Sequence, residues 1–207
     1  LETFEKVDTL VVDKTGTLTE GKPKLVSVVP VTGFDERRLL EIAAALERSS
    51  EHPLAQAILK GATERGIKLQ DELRDLASIT GMGVQGQLGK DQVAIGNDRL
   101  MEKFGVDTRS LLEKAEALRH EGQTVMFVAS NGRLAGIVGV ADPIKESTPQ
   151  ALRELRNEGL TVIMVTGDNK ATAEAVAQKL GIDEVRAQVL PEQKSQIIKE
   201  LQSKGRV

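Results

Sequence analysis

Two hydrophobic patterns divide this chain into flanks and a middle. Near the start, "VDTLVVD" (7–13) is a short apolar run rich in β-branched residues, as expected of a buried strand. "GLTVIMVTGD" (159–168) is a second run of the same kind. Before it, the periodicity of "STPQALRELRNEG" (147–159) predicts a helix, with Ser147 or Thr148 as N-cap, Pro149 in the first turn and Gly159 as C-cap. After it, "NKATAEAVAQKLG" (169–181) predicts another glycine-ended helix, "VRAQ" (185–188) a short strand, and "PEQKSQIIKELQSKG" (191–205) a last helix. Strands alternating with helices of this length predict βαβ units around a parallel sheet.

The middle reads differently. Residues 35–48 and 53–66 predict two helices separated by "SSEHP". "LASITGMGVQGQLGKDQVAIGN" (76–97) predicts short antiparallel strands broken by glycines, and helices follow at about 98–104 and 108–121. "TVMFVASNGRLAGIVGVAD" (124–142) predicts a hairpin, because Asn131-Gly132 is a strong two-residue turn signal. An inserted domain explains the change most simply. Residues 1–21 and 140–207 then form one α/β domain on a parallel sheet, and 22–139 form a separate α+β lobe. Links at about 21–25 and 139–145 are the expected hinges, limited in their bending by Pro23 and Pro143.

Composition narrows the chemistry. Of 207 residues, 40% are hydrophobic and 29% charged, enough for a real core under a soluble surface. Four Phe with no Trp or Tyr provide few platforms for base stacking, and a net charge of −3 gives no basic footprint for nucleic acid. The absence of cysteine excludes disulfides, thiolate chemistry and Cys-based metal sites, and two histidines cannot build a His-rich one. No apolar run approaches the roughly 18 residues that span a bilayer. Starting at "LETFEK" and stopping at "SKGRV", the sequence reads as a piece cut in mid-pattern from a longer protein.

Ligands of open parallel sheets bind beyond the carboxyl ends of the strands, which is where Asp13 falls. The Lys-Thr-Gly-Thr that follows allows a sharp turn whose N–H groups can receive a phosphate. Thr166-Gly167-Asp168 ends the second strand in the same way, and Lys194 can supply a positive charge. A carboxylate nucleophile suits phosphoryl transfer, where positioning and charge neutralisation carry the catalysis. Taken singly, each feature has a bland reading: Asp-x-x-Gly after a strand is a turn, Thr-Gly-Asp is unremarkable, and a lone helix lysine is a solvated one. Their combination points to a site.

The string "DKTGTLTEG" resembles the phosphorylation signature of P-type ATPases. "SSEHPLAQAI" (49–58), "TGMGVQG" (80–86) and "AIGN" (94–97) resemble the nucleotide-binding lobe of the heavy-metal-transporting subfamily, most of all its bacterial copper exporters. The resemblance covers the whole chain in order. It implies a haloacid-dehalogenase-like phosphorylation domain, truncated here, with an inserted antiparallel nucleotide-binding domain. It implies that Asp13 takes the γ-phosphate of ATP, with Lys14 beside it. Thr17 would bind the phosphoryl group through its hydroxyl, Thr166 and Gly167 would cradle it, and Asp168 would hold the loop or nucleotide. Lys194 would neutralise carboxylate and phosphate, while Asp13 and the Thr15 carbonyl would hold Mg²⁺. Asp142 and Lys145 of "DPIK" match the point of return to the phosphorylation domain.

For ATP, the resemblance implies Glu47, Glu51, His52, Gly81, Gly83, Gly96 and Asn97. On their own, His52 reads as a helix-entry residue and Gly81 and Gly83 as a hairpin turn. No Gly-x-x-x-x-Gly-Lys-Ser/Thr loop is present, so this is not a P-loop domain. His120, near a helix end, reads as a surface residue. The resemblance further implies a cytoplasmic portion of a bacterial plasma-membrane protein. Its partners would be the actuator and transmembrane domains of the same parent chain, and a heavy-metal cation handled by the parent rather than by this segment.

Two departures matter. Related soluble phosphatases carry a second Asp two positions after the nucleophile as general acid and base; here that position is Thr15, which favours a lasting acyl phosphate. The family's Gly-Asp-Gly-x-x-Asn-Asp motif, whose aspartate binds Mg²⁺, is not in this sequence, so the segment is expected to bind ATP yet phosphorylate itself poorly. A soluble phosphatase and a non-catalytic nucleotide-sensing module are the alternatives.

Overall fold

The computed structural model describes residues 7–69 and 71–207; residues 1–6 of the expected first domain segment lie outside them. In chain order, β1 (Thr9–Asp13), β2 (Lys24–Pro30), α1 (Glu36–Glu47) and α2 (Pro53–Glu64) come first. Then follow β3 (Leu73–Ile79), β4 (Gly83–Leu88), β5 (Asp91–Gly96), α3 (Asp98–Lys103) and α4 (Leu112–His120). The last are β6 (Thr124–Ser130), β7 (Arg133–Ala141), α5 (Thr148–Asn157), β8 (Thr161–Val165), α6 (Lys170–Leu180), β9 (Glu184–Arg186) and α7 (Lys194–Ser203).

The chain divides into two compact units. One contains residues up to Lys22, His120–Gly122 and Asp142–Val207; the other contains Pro23–Arg119 and Gln123–Ala141. The first is built on a parallel sheet in the order β1-β8-β9, with Thr9 opposite Thr161 and Asp13 opposite Val165. From Val162 to Val165, β8 is buried on both faces, which is why its sequence is continuously apolar rather than alternating. Leu152 of α5 and Ala173, Val176 and Leu180 of α6 pack on Val162 and Met164. Asn169 caps α6 by accepting from Thr172 N–H, and Gly181, at φ 65°, ends it in the left-handed conformation that glycine adopts without strain.

Helix α5 begins at the residue its sequence suggests, though without a side-chain cap. Ser147 sits at the cap position but its side chain caps nothing, while the Thr148 hydroxyl donates to the Leu18 carbonyl at 2.8 Å. Gly159 lies one residue beyond the cap residue Glu158.

The second unit is a six-stranded antiparallel sheet in the order β2-β7-β6-β5-β4-β3, covered by α1 and α2 on one face and α3 and α4 on the other. Period-two alternation sorts its side chains. Val93 and Ile95 of β5 enter the α1/α2 core, and Ala94 between them enters the α3/α4 core with Phe127 and Ile137. Asn131 (φ 51°) and Gly132 (φ 72°) make the β6–β7 turn, both with the positive φ of a type I′ hairpin. Strand β2, "KLVSVVP", pairs antiparallel with β7 and was not anticipated. Its apolar run was legible, but it lies beside the expected hinge.

Candidate active site

Asp13 is the last residue of β1, at the carboxyl edge of the parallel sheet. The chain then turns at once. Thr15 (φ −74°, ψ 123°) and Gly16 (φ 77°, ψ −15°) have the angles of a type II turn, whose third position requires positive φ and therefore selects glycine. Thr19 closes the loop by donating its N–H to the Lys14 carbonyl at 3.1 Å. Fully buried, the Thr19 hydroxyl lies 3.0 Å from that carbonyl and 2.5 Å from Asp142 Oδ2; its single proton serves the shorter, charged contact. The other bonds of Asp142 are to the backbone N–H groups of Gly21 and Lys22. Asp142 thereby ties the outgoing chain to the returning one.

Two lysines flank Asp13 and do different things. Lys194, the first residue of α7, places Nζ 2.6 Å from Asp13 Oδ2, both side chains being about two-fifths exposed. An ion pair so exposed contributes at most about 1 kcal/mol to folding, so stability explains its presence poorly. Lys14 turns inward instead. Its side chain is 7% exposed, and Nζ lies 2.7 Å from Asp168 Oδ2. The Thr166 hydroxyl donates to the same oxygen at 3.0 Å and accepts the Asp168 N–H at 3.2 Å. Asp168 therefore satisfies the charge of Lys14 and leaves Lys194 as the cation on Asp13.

The structure thus brings Asp13, Lys14, Thr166, Asp168 and Lys194 to one sheet edge. Thr15 and Thr17 stand exposed on the turn beside them. Gly167 follows Thr166, and a Cβ there would meet only the Val189 carbonyl at 3.6 Å, so the chain itself does not demand glycine. The Thr166–Asp168 loop is fixed from behind, with Gln188 N–H donating to Asp168 O and Val189 N–H to Thr166 O. No group of three His, Cys, Asp or Glu able to hold a metal occurs among the described residues. One carboxylate and a neighbouring carbonyl fit the way Mg²⁺ is held when substrate phosphates and waters complete its octahedron. Sequence reasoning missed the bracing by Thr19 and Thr148, since a threonine's partner is not visible in sequence.

In the antiparallel unit the remaining candidates form two groups. Glu47 ends α1 almost buried, and burial pushes its carboxyl above the ordinary glutamate range against a lowering hydrogen bond from Ser50. His52 is the N-cap of α2, its Nδ1 accepting Leu54 N–H at 3.2 Å. The neutral ring therefore carries its proton on Nε2, ready to donate. Glu51 is exposed next to it.

The second group is built around glycines. Asn97 donates Nδ2–H to the Gly81 carbonyl at 2.8 Å and caps α3 through Oδ1, so its amide is engaged on both sides. Gly83 and Gly96 face each other across β4 and β5, and a Cβ on either would lie 2.2 Å from a backbone oxygen. Their bareness is required by the sheet itself. Gly81 (φ 70°) has open space where a Cβ would point. Among the described residues no hydrogen bond joins this group to the His52 turn.

The site is thus an aspartate at the end of the first strand, braced from the second and faced by a lysine from the last helix. A protein-family model described as haloacid dehalogenase-like hydrolase matches residues 7–207. The chain belongs to this family.

Its relatives narrow the comparison. The chain is 55% identical over 207 residues to a copper-transporting P-type ATPase of Rhizobium leguminosarum bv. viciae, covering 100% of this chain and 24% of that protein. It is 52% identical over 205 residues to a copper-exporting P-type ATPase of Legionella pneumophila subsp. pneumophila, covering 99% and 28%. A silver-exporting P-type ATPase of Salmonella typhimurium is 45% identical over 207 residues, covering 100% and 25%. The chain spans about a quarter of the length of these curated relatives. Among solved structures, a zinc-transporting PIB-type ATPase in the E2.Pi state superposes with a TM-score of 0.72 at 32% identity, covering 98% of this chain and 32% of that one. The catalytic domain of the CPx-ATPase CopB-B, solved in a study of conformational change upon nucleotide binding, gives 0.71 at 28%, covering 99% and 71%. The resemblance to heavy-metal-transporting P-type ATPases therefore extends over the whole haloacid-dehalogenase-like chain.

Proposed function

We propose that this chain is the ATP-binding and phosphorylated segment of a heavy-metal-exporting P-type ATPase, copper being the favoured cargo of the parent protein. The observation that carries the reading is the 2.6 Å pair of Asp13 and Lys194 at the carboxyl edge of the parallel sheet. It is a carboxylate held by a cation where stability gains little from the pair.

In the proposed reaction an Asp13 oxygen attacks the γ-phosphorus of ATP. The bond to the β–γ bridging oxygen breaks, and ADP leaves with the electron pair. Lys194 holds Oδ2, so Oδ1 is the attacking oxygen, and the ammonium offsets the charge gathered between carboxylate and phosphate. The Thr17 hydroxyl and the Thr166–Gly167 loop receive the phosphoryl oxygens. Asp13 and the Thr15 carbonyl would hold Mg²⁺, which supplies charge neutralisation on the phosphates when bound. Lys14 acts at a remove, pinning the Asp13 loop to the Thr166–Asp168 loop through Asp168.

Thr15 offers no carboxylate to activate water, so the acyl phosphate persists long enough to be used by the rest of a pump. The antiparallel unit is the part assigned to ATP. His52 would donate from Nε2, and Glu47, Glu51, Gly81 and the Gly83–Gly96–Asn97 group complete its candidate surface. We place the segment on the cytoplasmic side, its partners being the actuator and membrane domains of the parent chain; among the described residues no helix is long and apolar enough to cross a membrane.

Incubation with γ-labelled ATP and Mg²⁺ tests the reading. A hydroxylamine-sensitive phosphate, absent from Asp13→Asn, is expected in the ATPase that contains this segment. Rapid hydrolysis of small phosphate esters with no trapped phosphate would refute it.

A further inference from the structure

The returning segment Asp142–Thr148 holds the Asp13 loop along its length. Most of its bonds secure the loop's far end. Lys145 N–H and the Thr148 hydroxyl both donate to the Leu18 carbonyl, the Pro143 carbonyl accepts from Glu20 N–H, and Asp142 takes the Thr19 hydroxyl. One bond reaches the crown. Lys145 Nζ donates to the Gly16 carbonyl at 2.6 Å.

We propose that Lys145 is a positioning residue for phosphoryl binding, fixing the peptide between Gly16 and Thr17 through the Gly16 carbonyl. The inference rests on the reading of Asp13 as the phosphoryl acceptor and adds a residue to it. Glycine is the least restrained residue in the loop, so the peptide that follows it is the one most in need of an external anchor. Nothing lies within 4 Å of the place a Gly16 Cβ would occupy, and Gly21 approaches Gly16 at Cα and N rather than at its carbonyl, so the Lys145 bond is the contact on that carbonyl. The Gly16 N–H has only a long contact, 3.3 Å to the Thr19 hydroxyl oxygen. A trans peptide is planar, with N–H opposed to C=O, so an ammonium on the Gly16 oxygen turns Thr17 N–H the opposite way. The Lys145 bond thereby sets the direction of the Thr17 amide and the base from which the Thr17 hydroxyl projects. A charged donor at 2.6 Å makes one of the stronger bonds available to a carbonyl.

Magnetic resonance on the 207-residue chain tests this, together with binding of a phosphoryl-mimicking probe, beryllium fluoride with Mg²⁺, to the ATPase that contains it. In Lys145→Met the Gly16 carbonyl-carbon and Thr17 amide resonances should move, while the Glu20 amide, held by Pro143, stays. Affinity for the probe should fall about tenfold, the usual scale for losing a charged hydrogen bond. Lys145→Arg, keeping charge and donor, should restore both readouts. ATP affinity without Mg²⁺, attributed to the antiparallel unit, should not change. Unmoved Gly16 and Thr17 resonances in Lys145→Met, or probe affinity within twofold of the unsubstituted ATPase, would overturn the proposal. The underlying reading has its own control. If the unsubstituted ATPase that contains this segment takes no more probe than its Asp13→Asn variant, the phosphoryl-acceptor reading fails, and with it the phosphoryl part of the Lys145 role; the resonances then report only whether Lys145 anchors the turn.

Discussion

Replacing Gly83 by alanine should unfold the antiparallel unit far more readily than replacing Gly81, although the two lie only two positions apart. A Cβ on Gly83 would lie 2.2 Å from the Ile95 carbonyl oxygen and 2.6 Å from Gly96 Cα, both backbone atoms of the strand that β4 is hydrogen-bonded to. Relief requires prising β4 from β5, and overpacking of this kind costs about 1–3 kcal/mol. The backbone adds to it, since φ at Gly83 is 147°, where an L side chain is strained by about 1–2 kcal/mol. Together the loss is about 2–5 kcal/mol. At Gly81 only the backbone term applies, because φ is 70° and the Cβ position is open. The difference of about 2 kcal/mol corresponds to roughly thirtyfold in the opening equilibrium. Native-state amide exchange at β5 reads this unit without assuming that both units melt together. Equal exchange in the two variants, or a larger loss at Gly81, would refute the argument. The same pair separates fold from ligand. If Gly81 touches nucleotide, Gly81→Ala should weaken ATP in titration calorimetry at a stability cost of only about 1–2 kcal/mol.

Three other substitutions follow from the site. Lys194→Met should change urea stability by less than about 1 kcal/mol, the pair being exposed, yet abolish trapped phosphate in the ATPase; retained trapping would remove Lys194 from the chemistry. Asp168→Asn strands the buried Lys14 ammonium and should cost the parallel unit about 3 kcal/mol by denaturant titration, so a shift under about 1 kcal/mol would mean that Lys14 finds another partner. Burial raises the pKa of Glu47, so its contribution to stability is full below the ordinary glutamate pKa and is lost as pH rises through the higher folded value. Glu47→Gln should flatten that decline towards neutral pH, and parallel stability-versus-pH curves for the two proteins would show that the burial is relieved in solution.

How much of this the sequence revealed depends on whether the determinant was local. Asn131-Gly132 predicts its hairpin because the turn needs two positive φ values, and "VIMV" predicts β8 because a strand buried on both faces has no polar side to show. Motif residues Asp13 and Lys194 come together through the resemblance, not through any pattern that brings residues 181 positions apart to 2.6 Å. Long-range polar partners stayed hidden. Nothing in "LTEG" says that Thr19 is fully buried against Asp142, and nothing in "DPIK" says that its lysine reaches back to Gly16. Strand β2 was missed for a different reason: its partner β7 lies at the other end of the insertion, so no hairpin signal announces it. The glycines were legible as special, but not as to why. Gly83 and Gly96 are bare because their own strands touch, a fact of register rather than composition.

An insertion placed immediately after the Asp13 loop creates a mechanical difficulty, because the chain must leave and return without loosening the loop that carries the proposed phosphoryl acceptor. Here the junction and the loop share one network. Thr19 bridges to Ile144, and Asp142 takes the N–H groups of Gly21 and Lys22 on the outgoing side. Its third bond, from the Thr19 hydroxyl, enters the loop that Thr19 closes on Lys14. Lys14 continues inward to Asp168, and Asp168 to Thr166 at the end of β8. A chain of short polar contacts thus runs from the insertion's two ends, through the Asp13 loop, to the neighbouring strand. The inner links, from Thr19 to Asp142 and from Lys14 to Asp168, are buried or half-buried, where an unsatisfied partner is costly. This part of the network favours one arrangement over a graded set, while the bonds to Gly21 and Lys22 are exposed. Whatever pulls on the insertion's ends is therefore resisted by the same bonds that hold the Asp13 loop, and that loop's rigidity is inseparable from the junction's.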